Sequence, residues 1–266
     1  LEKTIPNKLR SIEKKKQPKS DELITVYRGR KNTHPLIINK FMTSKKYIKE
    51  MITFEYIPES VQREIKKAIA LVKVGNDIVK TIGGRDLHQV TLTYGGSLKI
   101  PKKEQLTKLA ERVKKLKQAS IETAQLFLSL KQRDLVNDCE YFTLFEDDAY
   151  PMIDGPYVSQ SARFERHEYL DYMKEYHNPY STANFVAKDD KSFMVGSLAR
   201  MNISYDKLSK DAKDVSKDLK FPIINPFFNN VAQAIELVDA FDQVILICND
   251  LDPIDEQPVK PKIKAG

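Results

Sequence analysis

The longest helical pattern in the sequence sets the main constraint on the fold. Between residues 101 and 130, side chains on one face recur every three to four positions, while lysines and glutamates fill the opposite face. The members of the inward face are Leu106, Leu109, Val113, Leu116, Thr123 and Phe127. Such a helix of about 29 residues would be ~43 Å long, which is typical of an elongated bundle. The pattern therefore predicts a long-helix bundle.

Two further stretches show the same helical spacing. One begins at Pro58, which suits a first helical turn, and ends at Gly83 and Gly84. Its predicted inward face comprises Val61, Ile65, Ala68, Val72, Val79 and Ile82. The other begins with Asn225 as cap and Pro226 behind it. Its inward face comprises Val231, Ile235, Val238, Phe241 or Asp242, and Ile245.

Shorter patterns indicate a minor strand content and one more helix. Residues 23–27, 90–94 and 139–145 are predicted strands, and a tight turn with positive φ is expected at Gly95 and Gly96. Residues 165–176 have helical spacing, with an aromatic stripe that we interpret as core. This stripe comprises Tyr169, Tyr172, Met173 and Tyr176. The fold class expected from these patterns is mainly α with minor β (α+β).

Charge and composition divide the chain into three parts. The first 19 residues hold seven basic and two acidic side chains, a net +5 out of the +7 of the whole chain. We therefore predict a basic, disordered tail over residues 1–22, a single helical domain over 23–252, and an extended tail rich in Pro and Lys over 253–266. The basic tail leaves open a nucleic-acid-binding alternative, which we do not favour because no aromatic side chain interleaves the charges.

Composition also sets the expected compartment. The longest apolar run, residues 244–248, is far shorter than the ~20 residues of a membrane span, and the N-terminus shows no apolar signal-peptide core. Two cysteines suggest no disulfide framework, so we expect a cytoplasmic protein with no membrane partner. The chain opens at Leu1 rather than Met, and we expect a fragment, a processed product or a partial reading frame.

Residues capable of chemistry are scattered along the sequence. The four histidines, at positions 34, 88, 167 and 177, show no helical ligand spacing. Cys139 and Cys248 are 109 positions apart, and neither belongs to a Cys-x-x-Cys pair. No phosphate-binding glycine loop or nucleophile-elbow motif appears. From the residues alone, we predict no catalytic, cofactor-binding or metal-binding residue in this chain.

A set of sequence strings in fixed order nevertheless resembles a known family. The strings occupy residues 70–78, 82–88, 95–96, 101, 179–183, 191–202 and 225–236. In this order they resemble the central region of the large subunit of cytosolic nickel–iron hydrogenases, of the NAD(P)-linked, sulfhydrogenase-type group. The resemblance runs from about residue 55 to about residue 252, and residues 1–50 carry none.

The resemblance implies roles for a few matching positions. The family's glycine-glycine-arginine-x-x-histidine string matches Gly83, Gly84, Arg85 and His88, and its histidine lies toward the small subunit, on the side of the nearest iron–sulfur cluster. A proline usually follows, and Gln89 stands there in this chain. We therefore place His88 and Arg85 at a partner interface, with a buried histidine satisfied by backbone carbonyls as the equal alternative.

The remaining matching positions have structural roles in this interpretation. They are the turn glycines Gly95 and Gly96 and the string that contains Arg200 and Asn202. Arg200 is expected to anchor a turn through hydrogen bonds to carbonyl groups rather than to act in chemistry.

The departures from the family concern its metal. A complete member holds a nickel–iron centre with two Cys-x-x-Cys pairs and cleaves or forms dihydrogen heterolytically at nickel, and electrons pass to a partner's clusters. Here the lysine-rich tail and residues 28–30 occupy the expected place of the first pair, and the second pair would lie beyond Gly266. The resemblance thus implies no cofactor in this chain as given.

Three functions remain open at this point. The chain is a catalytically incomplete piece of a hydrogenase large subunit, whose partners are an iron–sulfur small subunit plus further electron-transfer subunits. Alternatively, it is a metal-free scaffold or docking subunit of a redox complex. The third possibility is an unrelated helical binding protein whose tail targets nucleic acid.

Overall fold

A computed structural model describes residues 58–137, 139–189, 192–254, 256–262 and 264. The predicted basic tail, the strand at 23–27 and the turn at 28–30 lie outside the described residues. The chain divides into two compact units, one of residues 1–70 and a second of residues 71–266. Within the first unit, the described residues are mainly helical and include an ion pair between Lys67 and Glu64 at 2.9 Å.

Helices dominate the described part of the chain. The α-helices are α1 Glu59–Gly83, α2 Lys103–Ser129, α3 Tyr169–Tyr172, α4 Ser197–Ser204, α5 Lys210–Ser216 and α6 Asn229–Asp250. Single 3-10 turns form at Arg166–Glu168, Tyr205–Lys207 and Pro226–Phe228. No helix in this described part combines the length and hydrophobicity that a membrane crossing requires.

The strands are short and form four small sheets. They are β1 Leu92–Thr93, β2 Gly96–Ser97, β3 Glu140–Tyr141, β4 Thr143–Leu144, β5 Tyr157–Val158, β6 Arg163–Phe164, β7 Lys174–His177, β8 Asn184–Ala187 and β9 Phe193–Met194. The antiparallel sheets are β1-β2, β4-β5-β6 and β7-β8, whereas β3 and β9 pair in parallel, with Glu140 opposite Phe193. The predicted class, mainly α with minor β, is confirmed.

The three long helices form where the spacing predicts them. The α1 helix follows Pro58 directly, whose carbonyl oxygen accepts a hydrogen bond from Gln62 N at 3.0 Å. Before α6, the side chain of Asn225 accepts from Phe227 N at 3.0 Å and so caps the 3-10 turn that leads into the helix. The 27 residues of α2 correspond to about 40 Å, and α6 packs along this helix.

Two clusters of buried side chains form the core of the second unit. The first joins residues of α2, α4, α5 and α6, with Leu198, Met201 and Ile235 fully buried at its centre. The second joins α1, α2 and α6, and its buried members are Leu71, Val74, Leu106, Leu109, Ala110, Val113, Phe241 and Cys248. Because α2 and α6 contribute to both clusters, this helix pair holds the unit together.

The inward face predicted for α1 is partly wrong. Val72 and Ile82 are exposed, whereas Leu71 and Val74 are buried and Ile78 packs beside them. Both series have three-to-four spacing and are offset by one residue, which turns the face by about 100°. The buried series is the one that meets apolar side chains of α2 and α6.

The helix predicted over 165–176 is also wrong beyond its middle. The α3 helix ends at Tyr172, and β7 follows as a strand paired with β8. Tyr176 stacks on Phe185 of β8 with ring centroids 5.6 Å apart. Cross-strand pairing with a segment about ten positions later outweighs the local helical spacing, because it satisfies the backbone and packs the aromatic side chain. The strand predicted at 139–145 similarly splits into β3 and β4, which join different sheets.

Candidate functional site

A buried ionic network lies between α4 and α6. The guanidinium group of Arg200 on α4 donates to the carboxylate of Glu236 on α6 through two bonds, Nε to Oε1 at 2.6 Å and Nη2 to Oε2 at 2.9 Å. Nη2 also lies 3.3 Å from the hydroxyl of Ser197. The expectation that Arg200 binds carbonyl groups is wrong, because its partner is a carboxylate in fork geometry.

A tyrosine completes this network. The Tyr150 hydroxyl donates to Glu236 Oε1 at 2.7 Å, and both side chains are buried. Burial and the neighbouring Glu236 charge raise the pKa of Tyr150, so its phenol stays protonated and acts as a donor. The hydrogen bonds to Glu236 raise the pKa of Arg200, which fixes its positive charge. The network therefore places a charged guanidinium group and a phenol donor on the Glu236 carboxyl group, and its geometry ties α4 to α6.

A second buried carboxyl group lies on α6, three positions beyond Glu236. Asp239 Oδ1 accepts from the backbone nitrogen of Ser209 at 2.7 Å, and the Ser209 hydroxyl in turn accepts from Ala212 N at the start of α5. Burial raises the pKa of Asp239 above its ordinary value. This contact orients α5 against α6 and is structural.

An apolar groove opens beside Arg200, and we call it the aromatic groove. Its volume is about 310 Å³, and aromatic rings supply much of its wall. The lining rings belong to Phe142, Tyr157, Phe164, Tyr169 and Phe193. The Phe142 ring lies 5.9 Å from Phe164 and 5.3 Å from Phe193, within the range of favourable ring contacts. The groove can hold an apolar ligand, and Arg200 is its charged lining residue.

The segment that carries Arg85 and His88 forms an exposed loop before the β1-β2 hairpin. His88 is exposed with a φ of 50°, and its carbonyl oxygen accepts a hydrogen bond from Arg85 Nε. The alternative of a buried histidine is therefore wrong for this chain. Among the described residues, no hydrogen bond connects this loop to the Arg200 network.

The glycines of this region have backbone reasons for their identity. Gly84 and Gly95 have φ values of 80° and 88°, which residues other than glycine rarely adopt. A Cβ on Gly95 would lie 1.9 Å from the carbonyl oxygen of Val259, whose nitrogen donates to Gly95 O at 3.0 Å. The turn expected at Gly95 and Gly96 forms as predicted, and it brings the hairpin against residues 258–259.

Apolar side chains of this loop and of the β1-β2 hairpin that follows remain exposed. We call the set Leu87, Val90, Leu92, Tyr94 and Leu98 the hairpin surface; each member is at least half exposed, and Tyr94 reaches 91%. Exposed apolar residues that cluster within so short a segment are typical of interaction sites. The family string points to Arg85 and His88 but not to these neighbours, although the apolar residues within 87–98 are a signal in the sequence.

Asn202, the remaining motif residue, clamps a loop. Its side-chain nitrogen donates to the carbonyl of Ile223 at 3.0 Å, and its oxygen accepts from Ile223 N at 2.8 Å. The clamp fixes the segment that precedes α6.

A polar network that the sequence analysis missed surrounds Glu140. Its carboxylate accepts from the hydroxyls of Ser159 (2.5 Å) and Ser161, and Lys188 Nζ lies 3.3 Å away. Burial disfavours the Glu140 carboxylate, but these hydrogen bonds and the lysine charge lower its pKa overall. Since Glu140 and Lys188 are 48 positions apart in sequence, local spacing carries no signal of the pair.

The residues of this chain do not fit a nickel–iron centre. Such a centre requires several thiolates, and the whole sequence contains only Cys139 and Cys248. Cys139 packs against the first core cluster, while Cys248 belongs to the second, where burial raises the pKa of its thiol. Within the described ranges, no three His, Cys, Asp or Glu side chains converge to hold a metal ion. We therefore derive no reaction step through such a centre.

Comparison with known proteins identifies the relatives of this fold. The chain is 31% identical over 208 residues to the alpha subunit of sulfhydrogenase 1 from Pyrococcus furiosus, which covers 76% of this chain and 48% of the relative. It is 27% identical over 225 residues to a protein of the vhu F420-non-reducing hydrogenase of Methanocaldococcus jannaschii, covering 76% of this chain and 54% of that relative. No family model matches the chain.

This chain is a homologue of hydrogenase large (alpha) subunits. The fold agrees, because a crystal structure of an NAD+-reducing [NiFe]-hydrogenase superposes with a TM-score of 0.60 over 71% of this chain and 48% of that chain, at 16% identity. The resemblance seen in the sequence strings is thus confirmed. The chain spans about half the length of the curated relatives it matches.

Proposed function

We propose that this chain supplies structural framework to a hydrogenase large subunit, and that the thiolates of the nickel site come from polypeptide outside these 266 residues. Homology over 76% of the chain to an alpha subunit about twice the matched length carries the proposal. The cysteine content supports it, because the two thiols available pack into different core clusters. The chain alone then neither holds nickel nor cleaves dihydrogen.

The framework role rests on what its own side chains do. The Arg200–Glu236 pair joins α4 to α6, and the Asp239–Ser209 contact joins α6 to α5. Both contacts are partly buried, and each places a donor on a carboxyl group of α6, which restricts the relative positions of these helices. A rigid scaffold of this kind is what a metal site needs from residues that do not ligate the metal.

The nickel content of the purified chain tests this proposal. The chain is produced in a host that assembles nickel–iron hydrogenases, then analysed by elemental analysis and by hydrogen-dependent dye reduction. We expect neither stoichiometric nickel nor dye reduction. Stoichiometric nickel in the isolated chain would contradict the proposal, since its thiols do not converge.

The hairpin surface is the proposed contact with an iron–sulfur small subunit. Its exposed apolar residues lie in the same segment as Arg85 and His88, which match the family string that faces this partner. Apolar anchors surrounded by polar groups are typical of partner interfaces. We therefore expect this surface, rather than the aromatic groove, to bind the small subunit.

Two pairs of matched variants test this contact. Binding of the chain to a recombinant sulfhydrogenase small subunit is measured by calorimetry. Leu92→Asp and Tyr94→Ser on the hairpin surface are expected to weaken binding by about tenfold or more. The controls Leu246→Asp on α6 and Tyr180→Ser, a tyrosine that is 81% exposed in the β7-β8 connection, should bind like the unmodified chain. Equal losses in both sets would contradict the assignment.

A metal-free scaffold in a redox complex is the second candidate, favoured by the presence of only two cysteines in the sequence. The two candidates differ when the chain is assembled with the missing part of a large subunit and with a small subunit. A framework piece would yield a complex that contains nickel, whereas a metal-free scaffold would assemble without it. In either role, we propose a cytoplasmic location and further electron-transfer subunits as partners.

Binding to nucleic acid is the outcome that would remove both candidates. Salt-sensitive association with DNA or RNA that disappears on deletion of residues 1–19 would show that the basic tail directs the chain to another function.

A further inference from the structure

We propose that the aromatic groove is the docking surface for an extended apolar segment from the part of a large subunit that this chain does not span. The inference rests on the proposed function and adds the place where the two parts meet. It uses residues of the second unit only, all of them away from the hairpin surface in sequence.

Aromatic rings form much of the wall of the groove, and one of them, Phe164, is itself buried and contacts further rings. Phe164 stacks on Tyr172 with centroids 4.1 Å apart, and Tyr157 lies 5.4 Å from Phe164. At the rim, Met152 and Val195 are more than half exposed. An apolar concavity bounded by exposed apolar side chains keeps apolar surface in contact with water, which a covering segment would remove.

The adjoining sheet is incomplete in the described part of the chain. Here β9 pairs with β3 alone, and the pairing is parallel. Parallel sheets are normally covered on both faces, and isolated two-stranded pairs are marginal. The outer side of β3 is occupied, because Tyr141 N donates to the side chain of Gln160 at 2.9 Å. An added extended strand would therefore pair with β9, whose Phe193 lines the groove.

The charge of the groove selects an apolar occupant. Arg200 is the charged residue of its lining, and the Nε and Nη2 atoms of Arg200 already donate to Glu236. Little net positive charge then remains to attract a phosphate or an acidic peptide. The segment that fits is extended and apolar, with main-chain groups available for pairing.

The length of the relatives identifies where such a segment comes from. The matched region covers 48% of the Pyrococcus furiosus alpha subunit, so about half of a related protein has no counterpart among these residues. That remaining polypeptide has to pack against the framework to form one subunit. Among the described residues, the aromatic groove and the open edge of β9 provide a surface on which that polypeptide can pack.

The test uses the complete 266-residue chain and a separate polypeptide. The probe comprises the regions of the Pyrococcus furiosus sulfhydrogenase 1 alpha subunit that flank the aligned 208 residues, joined by a flexible linker. Calorimetry measures binding for the unmodified chain, for Val195→Asp at the groove rim, and for Val72→Asp as matched control. Val195 is 59% exposed and Val72 is 65% exposed, so both variants should fold, which circular dichroism verifies.

We expect the unmodified chain and Val72→Asp to bind the probe alike, and Val195→Asp to bind at least about tenfold more weakly. The conservative variant Val195→Ile should retain binding. Absence of binding, or equal binding by Val195→Asp, would overturn the proposal. So would concentration-dependent dimerisation of the chain alone that Val195→Asp abolishes, because a second copy would then be the occupant. Binding of Val195→Asp to the sulfhydrogenase small subunit is measured as well. A variant that still binds the small subunit keeps the proposed function while the docking proposal is tested separately.

Discussion

Replacing Arg200 by methionine should destabilise the protein strongly, although methionine retains an unbranched apolar chain in place of the arginine methylenes. The change leaves the Glu236 carboxylate, only 9% exposed, without the two short bonds from the guanidinium group. Tyr150 remains as its donor at 2.7 Å. Removing one partner of a buried ion pair typically costs about 3–5 kcal/mol, and we expect about 3 kcal/mol because Arg200 is partly exposed.

This loss corresponds to a fall in melting temperature of about 6–12 °C for a domain of this size. Thermal and guanidinium unfolding, followed by circular dichroism, measure it. Arg166→Met is the control, because Arg166 and Asp154 form an exposed pair at 2.8 Å. Exposed pairs contribute about 1 kcal/mol or less, so this control should unfold close to the unmodified protein.

A double-mutant cycle separates the pair from its surroundings. The double variant of Arg200→Met with Glu236→Gln removes the buried charge as well as its partner, so it should recover part of the lost stability, with a coupling of about 2 kcal/mol. The reasoning is refuted if Arg200→Met unfolds like Arg166→Met, or if the two single changes add without coupling.

Two further changes test the other charged contacts. Lys117→Met should lower stability by about 1–2 kcal/mol in chemical unfolding, because Lys117 on α2 pairs with Asp211 on α5 at 2.5 Å and with Asp242 on α6. Glu140→Gln should remove a pH-dependent contribution to stability, because the hydrogen bonds from Ser159 and Ser161 and the charge of Lys188 lower the pKa of Glu140. That contribution is present above the ordinary value of 4.5 and is lost as pH falls through the lowered pKa. Urea unfolding of both proteins from neutral pH down to about pH 3 checks this.

Matched controls test whether these effects come from the named contacts. For Lys117→Met the matched change is Lys102→Met, in an exposed position at the start of α2; equal losses in the two variants would show that the ion pairs of Lys117 contribute nothing. For Glu140, the stability difference between the unmodified protein and the variant should shrink toward acid. A difference that stays constant or grows as pH falls would contradict the pKa direction.

The long helices were predictable because each one carries its own signal. The spacing along residues 101–130 reports burial of one face, and Asn225 with Pro226 marks the start of the last helix in the local sequence. Spacing could not choose between the Val72 and Leu71 series on α1, because that choice depends on side chains of α2 and α6. It also could not show that residues 174–177 would pair with β8.

The candidate site was less accessible to sequence reasoning than the helices. Arg200 was selected by its motif, yet its partner Glu236 lies 36 positions away on another helix, and Tyr150 lies 50 positions away in the other direction. Only the packing of α4 against α6 brings them together. The family strings thus identify Arg200 as a structurally important residue, whereas its hydrogen-bond partners can be seen only in the tertiary structure.

The parallel pairing of β3 with β9 has a consequence for how such chains can vary. The segment between these strands covers residues 142–192, and the two strands that bound it lie side by side in one small ladder. The β3-β9 pairing therefore holds the two ends of the segment together, whatever path the segment takes between them. Insertions or deletions within this segment can change the shape of the aromatic groove while the packing of α2 on α6 stays the same.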